Sequence, residues 1–186
     1  MKPDKIYSIF RKANRINLYN VINDEGEIKK QYISDGVCIY ALDNLPIFSE
    51  ATLGGLLGLD SNGPCKVEEY NASQFVLNAM SDIYNRSDIP LKIEDYEFFN
   101  HIVMDNCDDK SEQVLHFVDS AYIKPFDKDD SIMFASRDVE GQRCIVVQNG
   151  LFVVAAIMPI RFLAAKKCAD ITAKVYKELQ RQGNKE

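Results

Sequence analysis

Two histidines, five cysteines and a surplus of carboxylates bound the chemistry open to this chain of 186 residues. The densest group of reactive side chains is His101, Asp105, Cys107, Asp108 and Asp109. A calcium loop places acids at alternate positions around a central glycine, and Cys107 and Lys110 interrupt that pattern. A zinc site takes more Cys and His than one of each. Neither a metal nor a cofactor is therefore expected. A cysteine nucleophile needs a histidine base. Only His101 and His116 exist, and Cys107 is the one thiol expected on a loop, since Cys144 falls mid-strand in an apolar run. Gly54-Gly55-x-x-Gly58 lacks the Lys-Ser/Thr step and the preceding strand of a phosphate loop. None of these patterns amounts to a catalytic site, and a hydrolase built on the 101–109 cluster ranks third among the expectations for this chain.

Charge points to a second kind of chemistry. The net charge is −6, which argues against a protein coated in basic side chains. The distribution is uneven, however. Residues 1–15 carry five Lys or Arg against one Asp, residues 162–186 carry six against three acids, and residues 88–130 carry twelve acids against four Lys. Basic ends on an acidic body fit a contact to an anion confined to one face. Lys5, Arg11, Lys12 and Arg15 lie at the start, and Lys167, Lys174, Lys177 and Arg181 share one face near the end. Both sets also fit the solvated side of an amphipathic helix.

The elements that must position these residues follow from periodicity. Ile6, Ile9, Phe10 and Ala13 make one helical stripe over residues 4–13. Residues 16–22, 27–33 and 37–42 read as three strands, separated by Asn23-Asp24-Glu25-Gly26 and by Asp35-Gly36. Residues 43–112 read as a helical insertion. It has stripes over 49–59, over 73–84 (Phe75, Val76, Ala79, Met80, Ile83) and over 93–104 (Tyr96, Phe99, Ile102, Val103). A strand at 114–118 and a short helical turn at 121–126 come next. Strands at 131–136, 142–148 and 151–157 complete the pattern, with Asn149-Gly150 as the strongest hairpin signal. Cys168, Ile171, Val175 and Leu179 predict a terminal helix over 162–182. The five cysteines are dispersed without a C-x-x-C, the N-terminus is charged throughout, and no run of about 18 apolar residues occurs. Reduced thiols, a cytoplasmic location and no membrane contact are expected.

A helix followed by a three-strand meander thus occurs twice, in halves 4–42 and 114–161 of a single domain spanning 1–186. This arrangement resembles one domain of the bacterial DNA polymerase sliding clamp, the β processivity factor. Tyr32 to Ile39, running through Ser34-Asp35-Gly36, resembles that family's strand–Thr-Asp-Gly–strand step. Ala155 to Phe162, through Met158-Pro159-Ile160-Arg161, resembles its closing Met-Pro-Met-Arg-type strand. Residues 117–136 look like its strand–helix–strand passage. The resemblance implies an α+β fold in which both meanders share one sheet and both preceding helices lie on one side. It implies a protein that binds double-stranded DNA or replication proteins and peptides, from a phage or mobile element. Phosphate contacts would come from Lys5, Arg11, Lys12, Arg15 and Lys124, and a peptide pocket from Met158, Pro159, Ile160 and Arg161. A clamp ring contains six such domains, so one domain per chain implies a homo-oligomer if DNA is encircled. A module that keeps the fold without DNA contact is the alternative. The insertion at 43–112, the short second helix ending at Pro125 and the terminal helix depart from the family's pattern.

Overall fold

The computed structural model describes residues 3–60, 63–82, 88–98, 101–106, 115–126 and 131–160. Ten strands form one mixed sheet, ordered β4-β1-β2-β3-β10-β9-β8-β5-β6-β7, and short helices pack on its faces. The chain is therefore α+β. Among the described residues no helix is long and apolar enough to cross a membrane.

The first meander is β1 (Ile16–Ile22), β2 (Ile28–Ser34) and β3 (Cys38–Ala41), following α1 (Pro3–Phe10). Its second turn forms because Asp35 Oδ1 accepts the Val37 and Cys38 N–H groups at 2.9 and 3.0 Å. Gly36 supplies φ of 90°, a conformation that costs a residue without Cβ nothing. The second meander is β8 (Ile132–Val139), β9 (Gln142–Asn149) and β10 (Phe152–Ile157). Its last hairpin pairs Asn149 with Phe152, so the two turn residues are Gly150 and Leu151, one position later than the Asn-Gly pattern suggests. Gly150 takes φ of 59° at the first turn position, the requirement of a II′ turn.

The two meanders join where β3 pairs antiparallel with β10, through Tyr40↔Ala155, Ile39↔Ala156 and Cys38↔Ile157. On one face lie α1, α2 (Glu50–Leu57) and α4 (Ser120–Ile123) with its 3₁₀ extension Lys124–Phe126. They contribute Ile6, Phe10, Leu53, Leu57, Ile123 and Phe126 to the larger core. Tyr40 stands at the seam. Its ring meets Phe10 edge-on at 6.0 Å and Phe126 in a stack at 5.9 Å, and its hydroxyl donates to the Tyr122 carbonyl at 2.8 Å. The opposite face carries α3 (Gln74–Ala79) over a second core that includes Ile39, Val146 and Ala156.

The reading of 43–112 as helical is corrected. That region holds α2 and α3, but also β4 (Val67–Asn71), β5 (Ile89–Phe98) and β6 (His101–Asn106), all within the main sheet. The stripe over 93–104 is misleading because it runs through two antiparallel strands: Tyr96 belongs to β5, and Ile102 and Val103 belong to β6. Spacing counted across a reversal of the chain marks no single helical face. The β5–β6 register is also irregular between Ile93 and Glu97, which interrupts the ladder. The helix expected over 73–84 is only α3, capped by Ser73, whose hydroxyl accepts from Val76 N–H, and ending at Ala79. The helix expected over 162–182 lies outside the described residues.

Both sheet edges are engaged. Beyond β4, the outward Glu69 N–H donates to Glu50 Oε1 of α2 at 2.9 Å. Beyond β7 (His116–Asp119), the Phe117 carbonyl accepts from Ile160 N–H at 2.8 Å.

One buried ion pair fixes α3 to the sheet. Arg137 of β8 is 2% exposed at its side chain and Asp88 3%. The guanidinium donates to both Asp88 oxygens, from Nε at 3.0 Å and from Nη2 at 2.7 Å. Its Nη1 donates to the carbonyls of Asn78, Ala79 and Ser81, in and just after the last turn of α3. Removing one partner would strand a buried charge. Arg137→Met is expected to lower unfolding stability by about 3–5 kcal/mol in urea titrations. A loss within about 0.5 kcal/mol, the usual effect of a surface change, would contradict the pairing.

Candidate functional site

The five basic residues expected to meet phosphate divide into two groups. Lys5 and Lys12, separated by two turns of α1 and its extension, converge with Lys124 of the 3₁₀ turn on one open concavity of about 300 Å³. Ser8, Asp35, Asp119 and Tyr122 complete its polar wall. None of the three lysines makes an ion pair with another described residue. The two carboxylates are occupied. Asp119 Oδ1 caps α4 by accepting from Ala121 N–H at 2.9 Å. Asp35 holds its own turn and accepts from the Tyr122 hydroxyl at 2.8 Å. Burial, then the bond to Asp35, pushes the Tyr122 phenol well above its ordinary range. Its proton stays in place at neutral pH.

Arg11 and Arg15 are diverted. Arg11 Nε donates to the Leu57 carbonyl at 3.0 Å, closing the C-terminus of α2. Arg15 Nη2 donates to Glu68 Oε2 and to the Tyr70 hydroxyl, each at 2.7 Å, on the β4 edge. The hydrogen bond to Tyr70, with the Glu68 charge, raises the Arg15 guanidinium further. The same pattern, led by Tyr70, holds the half-exposed Glu68 carboxyl below its usual value.

Met158, Pro159 and Ile160 are half-buried and form a strap after β10. Met158 N–H donates to the Val37 carbonyl at 2.8 Å, and Ile160 N–H reaches Phe117 of β7. Met158 also packs on the smaller core. Arg161, Cys107, Asp108, Asp109 and the lysines and arginine of 162–182 lie outside the described residues.

Thiol chemistry finds little support in what is described. Cys38 and Cys144 are buried in β3 and β9. Burial pushes Cys144 up to about 12 and Cys38 well above its ordinary range, so neither offers a thiolate at neutral pH. His101 and His116 cannot act together. His101 pairs with Asp119 and His116 with Met104 on adjacent strands, at positions an odd number of residues apart, so their side chains project from opposite faces. Among the described residues no group of three or more His, Cys, Asp or Glu is placed to hold a metal.

Three features had no sequence signal that was read. These are the Arg137–Asp88 pair, the Asp35–Tyr122 bond and a second cleft of about 650 Å³ between α1, the loop after β3 and the β9–β10 turn. The last has a visible cue in hindsight, because Asn149-Gly150 is followed by Leu-Phe where a polar turn is usual.

No family model matches the chain, and neither a curated protein nor a solved structure is significantly similar to it.

His116 yields a pH prediction. It is buried, and its Nε2 has no hydrogen-bond partner. Burial, then the Arg143 charge, lowers it below the ordinary 6.5, while Asp105 partly opposes them. Below 6.5 the unfolded chain binds a proton that the folded chain refuses. Stability is therefore expected to fall as pH drops from about 6.5, by at most about 1.4 kcal/mol per pH unit from this group. Denaturation curves of wild type and His116→Gln between pH 7.5 and 5.5 should diverge in that sense. Parallel curves would remove His116 as the cause.

Proposed function

We propose that the chain is a non-enzymatic, clamp-related protein that binds double-stranded DNA, or proteins acting on it, through the face carrying α1 and α4. One observation supports this above all. Lys5, Lys12 and Lys124 come from segments more than a hundred residues apart in sequence, yet they meet in one concavity without ionic partners among the described residues. Cationic groups set this way contact phosphate without reading bases. The union of both meanders through β3 and β10, with α1 and α4 on the same side, agrees with the resemblance carried by Tyr32–Ile39 and by the segment after β10.

Three lysines give weak binding. With about three phosphates neutralised, log K falls against log salt with a slope near −2.7. An assembly of several copies would multiply the contacts and raise avidity without any new chemistry. A second reading, a protein-interaction module, is favoured by the apolar turn of the last hairpin, where Leu151 is 85% and Phe152 62% exposed.

Fluorescence anisotropy with a labelled DNA duplex, at salt concentrations from about 50 to 200 mM, tests the DNA reading. Replacing Lys5, Lys12 and Lys124 with Gln should abolish most of the binding and flatten its salt dependence. Arg15→Gln should leave both unchanged, because Arg15 is held at the β4 edge. Duplex binding that ignores salt, or that survives the triple substitution, would refute the proposal.

A further inference from the structure

The cleft of about 650 Å³ shares no lining residue with the lysine concavity. Its volume lies within the range of ligand-binding clefts. Its walls are apolar: Ile6 of α1, Leu42 and Leu45 after β3, and Phe152 and Val154 of β10. The rim is rigid. Asn149 and Phe152 are paired across the turn, so the exposure of Leu151 and Phe152 is built into the hairpin and is not the accident of a long loop.

Among the described residues, Asp43 is the only carboxylate lining the cleft. Its one ion-pair partner among them is Lys30, at 3.6 Å, which Asp82 shares at 3.7 Å. One ammonium thus faces two carboxylates. Asp82 has a further donor, the Val153 N–H at 2.7 Å, and Asp43 is left with the weaker set of partners. The Tyr32 phenol lies close by. It is pushed up to about 12 by burial, then by the charges of Asp43 and Asp82. Among the described residues no lysine, arginine or histidine lines the cleft.

We infer that this cleft docks a short peptide segment of a partner protein, one that seats a bulky apolar side chain between α1 and the last hairpin and sets a Lys or Arg beside Asp43. The apolar walls account for the anchor, and the surplus negative charge accounts for the basic neighbour. An acidic peptide would meet Asp43 without a counter-charge. A purely apolar one would leave Asp43 desolvated and short of a donor. The docking segment is independent of DNA, so the lysine variants described above leave it untouched.

Selection of a random displayed peptide library on the full chain supplies the probe, and the enriched peptides are then synthesised for anisotropy titration. They should pair an aromatic or branched aliphatic residue with Lys or Arg. Their affinity should fall about tenfold or more for Phe152→Ser and for Asp43→Asn. Both side chains are exposed, so thermal unfolding of the variants should match wild type. The inference is overturned if no peptide is enriched, or if enriched peptides lack a basic residue or bind both variants as well as wild type. It is also overturned if wild type self-associates in a way that Phe152→Ser abolishes, because a second copy then fills the cleft.

Discussion

Everything on the helical face depends on three residue pairs between β3 and β10. Without them the sheet would part into a four-stranded piece, β4-β1-β2-β3, and a six-stranded piece, β10-β9-β8-β5-β6-β7, and both cores would be split along the seam. The seam works because large and small side chains meet across it. Ala155 and Ala156 of β10 lie opposite Tyr40 and Ile39. On the α1 side the space left by Ala155 admits the Tyr40 ring between Phe10 and Phe126, and on the other face Ala156 stands opposite Ile39. Its hydroxyl, buried with it, reaches the Tyr122 carbonyl and so avoids the cost of an unpaired polar group. Tyr40 therefore sets the spacing of α1 from the segment that bears Lys124.

Electrostatics divides the remaining work. Guanidinium groups serve the fold: Arg137 inside α3 and the sheet, Arg11 on the end of α2, Arg15 on the β4 edge. Arg137 uses all three of its nitrogens as donors, which suits the planar fork of arginine. The ammonium groups of Lys5, Lys12 and Lys124, by contrast, have no ion pair among the described residues. The three lysines of the concavity can move on flexible stems, and that fits contact with a mobile, repeating array of charge better than a fixed fork does.

Much of this architecture was legible before any coordinates. The turns at Asn23–Gly26, Asp35-Gly36 and Asn149-Gly150 mark strand ends through local chemistry, and local chemistry survives in a sequence. The central region resists periodicity for a physical reason: the apolar positions at Tyr96, Ile102 and Val103 lie on two antiparallel strands, so their spacing along the chain describes no common face. The candidate site was half legible. Helical spacing puts Lys5 and Lys12 on one side of α1, but it equally admits Arg11 and Arg15. Their diversion depends on Leu57, Glu68 and Tyr70, more than forty positions away. The Arg137–Asp88 pair spans 49 positions, and neither residue sits in a pattern that announces burial. Long-range polar pairing of this kind is set by topology, which periodicity does not encode.

Glu50 bears on how copies of this chain can meet. Its carboxylate occupies the N–H in the middle of the outermost parallel strand, where a neighbouring molecule's backbone would have to bond. At the far border the link from Ile160 to Phe117 takes up a carbonyl that an incoming strand would need. A ladder of molecules extending one sheet into the next is thereby discouraged at the first step. Any ordered assembly must bring surfaces of side chains together, and its geometry will be written in the helices and hairpin turns instead of in the backbone.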